Sequence, residues 1–209
     1  MKNILILFLL LLFNNSFAQI SISLSAGFDP KEISLYDHTA TDGDNAYWKS
    51  GITFGINCDY SLSEKLFISA LFQYSHYKFD KYADSGFRIP EIIFISANAE
   101  NSNLLRTSVE LKYFPFPQNR IKFFALTGMG IVVEDLGTVK TQFLDMMQGT
   151  NNTYTRDFEL ENTFVHSLGL GIRADIISNL FVDVSGLYYS NYSDRFQTFF
   201  GASLGYKLF

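Results

Sequence analysis

The feature that most constrains this sequence is a period of two, in which apolar residues alternate with small or polar ones. Between Ile20 and Phe28, even-numbered positions carry Ile, Leu, Ala or Phe, whereas odd-numbered positions carry only Ser or Gly. Successive side chains of a β-strand point to opposite faces of the strand. The period therefore predicts strands with one apolar face and one face of small or polar residues.

Eight segments of this kind cover most of the chain, at residues 20–28, 50–62, 66–79, 104–114, 121–133, 164–176, 180–189 and 196–209. The fifth segment is the least regular, because Phe123, Phe124 and Leu126 place apolar side chains on both of its faces. Each segment has about 10–14 residues, and a tilted strand needs about 9–11 residues to cross a bilayer. The sequence thus predicts an all-β protein, an eight-stranded antiparallel transmembrane up-and-down β-barrel.

The connections between these segments alternate in length. Short connections follow the second, fourth and sixth segments, at residues 61–65, 115–120 and 177–179. Long connections follow the first, third and fifth segments, at residues 29–49, 80–103 and 134–162. Only the last connection, near residues 191–195, departs from this rule by being short. Short turns on one side and long loops on the other are typical of outer-membrane barrels, so we expect extracellular long loops and two periplasmic termini.

The first eighteen residues have the parts of a secretory signal peptide. Lys2 supplies a positive charge, residues 4–13 form an uninterrupted apolar run, and Ser16 and Ala18 are the small residues that precede a cleavage site. The alternative, an uncleaved anchor, is disfavoured because the apolar run is short for a membrane-spanning helix. We expect residues 1–18 to be a cleaved signal peptide and residues 19–209 to form the outer-membrane β-barrel domain.

Composition excludes several classes of function. Charged residues make up 18% of the chain, below the roughly 25% of typical soluble domains, and aromatic residues make up 17%. A formal net charge of −5 argues against a nucleic-acid partner, because phosphate binding needs clustered Lys and Arg. Cys58 is the only cysteine, which excludes an intramolecular disulfide and a zinc site built from Cys and His ligands. The sequence predicts no nucleic-acid partner, no cofactor and no metal site.

Alternation alone does not say which face of the strands is inside. In a soluble, lipocalin-like barrel the apolar face would point inward, and the other face would be rich in Lys, Glu and Thr. Here the second face consists mainly of Ser and Gly, which suit the crowded lumen of an eight-stranded barrel. The apolar face also ends in aromatic residues, as interfacial girdles do: Phe28, Tyr60, Tyr74, Tyr113, Tyr188 and Tyr206. Both observations favour a membrane barrel.

The end of the chain carries a family resemblance. Tyr206, Leu208 and Phe209 resemble the assembly signal at the C-terminus of bacterial outer-membrane proteins, although Tyr206 lies three places from the end and so out of phase with Phe209. Residues 19–209 as a whole resemble small barrels of the OmpX and OmpA-transmembrane kind. They are also similar to the PorT-like outer membrane protein β-barrel domain family, in which a strand ending like residues 111–114 precedes a short turn and a Gly-containing strand.

The resemblance implies partners rather than a reaction. It implies contact with outer-membrane lipid and lipopolysaccharide, insertion by the barrel-assembly machinery, and in some relatives a place in a secretion assembly. It implies no single activity. The acidic loops 29–49, 80–103 and 134–162 are candidates for binding an extracellular or envelope protein, and they lack the compact spacing of a Ca²⁺ site. We expect the apolar run Ile92, Ile93, Phe94 and Ile95 in the second long loop to extend its strands above the membrane; the alternative is contact with such a partner.

Nine charged residues fall on the inward face, and they form the candidate site: Asp59, Arg106, Glu110, Lys112, Lys122, Arg173, Asp175, Asp183 and Lys207. Buried charges persist only when they are paired, so five cations and four anions predict an ion-pair network that closes the lumen. Most of the nine are expected in the periplasmic half. We therefore expect a structural or surface-interaction role; the first alternative is a narrow channel for small solutes or ions.

The second alternative is an outer-leaflet lipid-modifying enzyme, which would need a nucleophile and a base near the rim. His76 follows Ser75, His166 precedes Ser167, and His38 lies in the first long loop. Because adjacent residues of a strand point to opposite faces, neither neighbouring pair can act together. A serine–histidine pairing across strands stays open, but nothing in the sequence supports one, so we predict no enzymatic activity.

Overall fold

The computed structural model describes residues 19–29, 33–35, 46–79, 92–135, 137–157, 160–190 and 196–208. Its strands are β1 (Ile20–Asp29), β2 (Ile33–Leu35), β3 (Ala46–Ser61), β4 (Leu66–Phe79), β5 (Ile92–Ala99), β6 (Ser102–Tyr113), β7 (Ile121–Asp135), β8 (Thr138–Asp145), β9 (Thr150–Asp157), β10 (Glu161–Asp175), β11 (Leu180–Ser190) and β12 (Phe196–Lys207). Within these ranges there is no helix of the length and apolarity needed to span a membrane.

Eight of the strands form a closed antiparallel barrel. Each barrel strand pairs with the next one in chain order, and the last pairs with the first to close the ring. The order is β1, β3, β4, β6, β7, β10, β11, β12. The short β2 pairs with the start of β3 outside the ring. This arrangement confirms the predicted all-β, eight-stranded up-and-down barrel.

The two ends of the barrel differ in their connections. We call the end with the connections at residues 62–65, 114–120 and 176–179 the turn end, and the opposite end the loop end. Gln19 and Leu208 also lie at the turn end, where the Leu208 N–H donates to the Ile20 carbonyl at 2.7 Å and the Ser61 N–H donates to the Gln19 carbonyl at 2.9 Å. The predicted alternation of short and long connections is therefore present in the structure, and the segment 191–195 lies outside the described residues.

The outward face of the barrel is a continuous apolar surface. Leu24, Leu168 and Leu170 are 65%, 63% and 71% exposed, and similar side chains surround them on every strand of the ring. A water-soluble protein does not expose an apolar surface of this extent, so the belt is the membrane-spanning surface and the lipocalin-like alternative is wrong. The predicted girdle residues lie on this outward face: Phe28, Tyr60, Tyr74, Tyr113, Tyr188 and Tyr206. Tyr60 is half-buried, and the others are exposed.

Inside the barrel, aromatic rings lie against glycines of neighbouring strands. The Phe199 ring covers Gly27, and the Phe124 ring covers Gly171, so closely that a Cβ at either glycine would overlap the ring. Phe124 and Leu126 are 3% and 4% exposed in the lumen, which explains why the fifth predicted segment is apolar on both faces. The glycines make room for rings that fill a narrow interior.

Strands β5, β8 and β9 form a second, three-stranded sheet at the loop end, which we call the ribbon. The ribbon continues the barrel's own hydrogen-bonding ladder: Asn103 pairs with Asp135 in β6–β7, and Ala99 pairs with Val139 in β5–β8 at the same register. The β8–β9 pairing likewise keeps the register of β7–β10. Gly137, with φ of +65°, forms the break between β7 and β8, and its N–H donates to the Asp135 carboxylate at 3.1 Å.

The ribbon both confirms and corrects the sequence analysis. Ile92 and Ile93 belong to a strand that extends above the barrel, as one of the two expectations held. The connection at residues 134–162 is predicted as one long loop. In the structure most of it is strand, in β7, β8, β9 and β10. The reason is that the ladder of backbone hydrogen bonds does not stop at the rim. Strands β3, β7 and β10 consequently reach 16, 15 and 15 residues, longer than the predicted segments.

Candidate functional site

The first group of lumen charges, the turn-end cluster, consists of Asp59, Lys112, Arg173 and Asp183. Arg173 donates to both oxygens of Asp183 from Nε and Nη2, each at 2.7 Å, and from Nη2 to Asp59 Oδ2 at 2.7 Å. The other Asp59 oxygen, Oδ1, accepts from Lys112 Nζ at 2.9 Å and from the Ser69 hydroxyl at 2.6 Å. The cluster thus joins side chains of β3, β4, β6, β10 and β11 across the lumen.

Aromatic rings complete the surroundings of Arg173. Its guanidinium carbon lies 3.9 Å from the centre of the Phe181 ring and 5.1 Å from the centre of the Phe114 ring. Arg173 is 3% exposed and Asp59 is 1% exposed. Because an unpaired buried charge is strongly unfavourable, these ion pairs and cation–π contacts are what permit four charges in this interior.

A second group lies nearer the turn end. Asp175 accepts from Lys122 Nζ at 2.7 Å and from Lys207 Nζ at 2.8 Å, and these side chains are about one-fifth exposed. A cavity of about 330 Å³ adjoins this group, and Arg173 forms part of its lining together with Phe67. The turn-end cluster therefore lies between this cavity and the middle of the barrel.

Large apolar side chains fill much of the middle of the lumen. Phe124, Leu126, Leu187 and Phe199 are buried there. The void beside them, which Glu110 and polar residues of the neighbouring clusters also line, has a volume of about 30 Å³, enough for roughly one water molecule.

A third polar group, the loop-end cluster, consists of Gln73, Tyr77, Arg106 and Tyr189 with Asp29. Arg106 Nη1 donates to the Gln73 side-chain oxygen at 3.0 Å, and the guanidinium carbon lies 3.7 Å from the centre of the Tyr189 ring. The Tyr77 hydroxyl donates to Asp29 Oδ2 at 2.8 Å. Arg106 and Tyr77 are both 0% exposed, so this cluster too is fully inside the barrel.

The nine predicted charges are distributed along the lumen. Four of them form the turn-end cluster, and Lys122, Asp175 and Lys207 form the group beside it. Arg106 is in the loop-end half, whereas Glu110 lies between the halves and accepts from the Ser108 hydroxyl at 3.2 Å. The structure therefore contains ion pairs among seven of the nine charges, and the closure of the lumen by these charges stays a prediction.

Sequence reasoning missed four residues of the loop-end cluster. Gln73 is a polar residue at an inward position of β4, so the period of two could have identified it as a lumen residue. Tyr77 and Tyr189 have the inward parity of their strands, opposite to that of the girdle residues, yet aromatic residues were considered only as girdles. Asp29 was assigned to an acidic loop, whereas it is the last residue of β1 and is 1% exposed.

Two further sets of sequence candidates lie on the outward face. Tyr206 and Leu208 of the predicted assembly signal are 48% and 44% exposed near the turn end, and Phe209 lies outside the described residues. His76 Nδ1 is 2.9 Å from the Asn103 side-chain oxygen, and His166 meets the Phe164 ring edge-on with centres 5.3 Å apart.

The serines beside these histidines point the other way. Ser75 is buried in the lumen and hydrogen-bonds Thr53 at 2.7 Å, and Ser167 is also buried. The strands thus separate each histidine from the serine next to it in sequence, as their parity predicts. His38 lies outside the described residues. Nowhere in the described ranges do three or more His, Cys, Asp or Glu side chains form a group that could hold a metal ion.

Comparison with known proteins shows the fold. No protein-family model matches the chain, and no curated protein sequence matches it. The crystal structure of Neisserial surface protein A matches with a TM-score of 0.51 and 11% identity, over 90% of this chain and 97% of that one. The outer membrane protein OprG of Pseudomonas aeruginosa matches with a TM-score of 0.56 and 12% identity, over 91% of this chain and 95% of that one. The chain therefore has the fold of the small eight-stranded outer-membrane β-barrels, and its similarity to the PorT-like family stays a prediction.

Proposed function

We propose that this protein is an integral outer-membrane protein of a Gram-negative bacterium whose closed barrel anchors the ribbon at the cell surface. In this proposal the loop end is extracellular, both termini are periplasmic, and the ribbon binds another macromolecule. No catalytic role is included, because each rim histidine is separated from its neighbouring serine by the barrel wall.

Support for a closed barrel comes from the order of groups along the lumen. The turn-end cluster, the packed rings and leucines of the middle and the loop-end cluster succeed one another, and the void in the middle is about 30 Å³. An eight-stranded barrel has an interior that side chains just fill. A continuous water-filled path would require the buried Arg173 to leave both of its carboxylate partners.

The main support for a binding role is the exposed pair of methionines at the tip of the ribbon. Met146 and Met147 are 57% and 75% exposed at the β8–β9 turn. The turn is ordered, because Asp145 Oδ1 accepts from the Met147 N–H at 2.9 Å and the Gln148 N–H at 3.1 Å. Flexible methionine side chains are common on surfaces that bind protein partners.

The test is photo-crosslinking in living cells, with a photoreactive amino acid at Gln148 beside the two methionines. We expect a defined adduct that is lost when Met146→Ser and Met147→Ser are introduced together. An adduct that persists in the double variant, or no adduct at all, would contradict a binding role for the tip.

The orientation is tested separately by cysteine labelling in a Cys58→Ser background. Gly149→Cys should react with a membrane-impermeant reagent on intact cells, because it lies at the tip of the ribbon. Asn179→Cys, in a connection at the turn end, should react only after the outer membrane is opened. The reverse pattern would place the loop end in the periplasm.

A narrow channel is the second candidate function, and the cavity at the turn end favours it. Arg173 lines that cavity of about 330 Å³, so a channel would have to cross only the groups beyond Arg173. The two candidates differ in whether the lumen conducts ions.

A further inference from the structure

A hydrogen-bonded trio lies on the outward face near the loop end. Tyr74 and His76 belong to β4, and Asn103 belongs to β6. His76 is ten residues from Leu66 at the turn end of the same strand. A rise of about 3.3 Å per residue and a tilt of about 40° make this about 25 Å along the membrane normal, which equals the height of a typical apolar band. The trio therefore lies at the boundary between the acyl chains and the lipid headgroups.

Its hydrogen bonds determine which groups the trio presents. The Asn103 Oδ1 atom accepts from the Tyr74 hydroxyl at 2.6 Å and lies 2.9 Å from His76 Nδ1. Since an amide oxygen only accepts, His76 carries a hydrogen on Nδ1. Two donors thus engage the amide oxygen of Asn103, and its amide N–H groups are directed away from them.

An exposed cation lies beside the trio. Lys78 follows His76 on the same face of β4 and is exposed. Asp135, the cross-strand neighbour of Asn103, is also charged, and its Oδ1 atom accepts from the Gly137 N–H. Below the trio, Phe54 and Phe72 are 59% and 48% exposed and form an apolar surface.

We propose that Tyr74, His76, Lys78 and Asn103 form a rim patch that binds the phosphate group of a membrane lipid in the loop-end leaflet. The phosphate accepts from the Asn103 amide and pairs with Lys78, and the acyl chains lie along the apolar surface below. A phosphate suits the patch because it offers only acceptors and negative charge, at the depth where lipid phosphates lie. Phospholipids and lipid A both carry such a phosphate.

The chain supplies a matched control for this patch. His166 is a second histidine on the outward face toward the loop end; it is exposed, whereas His76 is half-buried, and its ring packs against Phe164. It therefore tests whether any rim histidine has the same effect.

The experiment is native mass spectrometry of the refolded chain (residues 19–209) after incubation with equal amounts of phosphatidylglycerol, lipid A and diacylglycerol. We expect a phosphate-bearing lipid to be retained in preference to diacylglycerol. The double variant His76→Phe with Asn103→Leu should lower this retention by about tenfold, as expected for lost hydrogen bonds to a charged group. His166→Phe should leave it unchanged.

Equal retention of diacylglycerol would overturn the proposal, and so would an equal loss in His166→Phe. A preference for lipid A or for phosphatidylglycerol would support it and identify the source of the phosphate. If the double variant does not fold, Lys78→Gln replaces it, since this side chain is exposed, and a roughly threefold loss is expected. Unchanged retention in Lys78→Gln would then count against the patch.

Discussion

The barrel and the ribbon share one ladder of backbone hydrogen bonds but differ in what surrounds it. Within the barrel, inward side chains such as Arg106 and Val165 are at most 5% exposed. Beyond the rim the same ladder continues in β8 and β9; Tyr154 of β9 is 54% exposed, and Met147 in the turn between the two strands is 75% exposed. The ring has no free strand edge, whereas β5 and β9 are the outer strands of the three-stranded ribbon.

This difference shows that strand pairing alone does not determine local stability. Burial of side chains in the lumen and in lipid supplies most of the free energy that holds a barrel strand in place. The ribbon has the same register with less of that burial, which is present at its base in Val139 and Ala99, so it should open locally at a lower free-energy cost. The region with the least burial is also the one proposed to bind a partner, as is common for surface elements.

The largest expected effect is on the barrel side of this comparison. Arg173→Ala removes the cation and leaves Asp59 and Asp183 buried together. We expect the free energy of unfolding to fall by about 3–5 kcal/mol, measured by urea unfolding in lipid vesicles. The control is Lys122→Ala, which removes a half-buried ion pair and should cost about 0–1 kcal/mol. Equal losses in the two variants would mean that burial of the turn-end cluster is unimportant.

The next effect concerns the fit between rings and glycines. Gly171→Ala places a Cβ against the Phe124 ring, and overpacking of this kind costs about 1–3 kcal/mol. Replacing Phe124 by Leu in the same chain should recover part of the loss. The outward Gly186→Ala is the control, because its Cβ would lie 3.1 Å from the flexible Phe200 side chain. A cost for Gly186→Ala as large as that for Gly171→Ala would contradict a tightly packed lumen.

A smaller difference should be visible in hydrogen exchange. The backbone amides of β8 and β9 should exchange well before those of β7 and β10, even though the two pairings keep one register. Exchange followed by mass spectrometry on the folded protein in lipid measures this directly. Equal protection on both sides of Gly137 would show that the ribbon and the barrel open as one unit.

The smallest effect is expected at the tip of the ribbon. Met146→Ser with Met147→Ser should change the free energy of unfolding by less than about 0.5 kcal/mol, because both side chains are exposed. The same variant should lose the crosslinked adduct. Urea unfolding in lipid vesicles measures the change in the free energy of unfolding. A fall of more than about 1 kcal/mol would show that the methionines pack against the protein.

The comparison also explains which parts the sequence could predict. Alternation marks a strand only where its two faces meet different surroundings, lipid outside and the lumen inside. The eight barrel strands meet this condition. The β9 sequence does not, because residues 150–155 are exposed on both faces and almost all polar. The ribbon strands at the third loop were therefore missed.

For the lumen, parity predicted which side chains point inward but not which of them meet. Arg173 contacts Asp59, which is 114 positions away in the chain, and that contact depends on the stagger of the strands around the closed ring. Tyr77 and Tyr189 were missed because an aromatic residue suits both a girdle and a lumen. Only the three-dimensional register separates the two roles.

The central claim is that the barrel is a closed anchor, and single-channel recording tests it most directly. The refolded chain (residues 19–209) is inserted into a planar lipid bilayer, and its correct folding is verified on the same sample. We predict a silent bilayer, because the turn-end cluster and the side chains packed in the middle close the lumen. Reproducible, ion-selective current steps that change with Arg173→Ala would contradict it and would show that ions pass through the cluster.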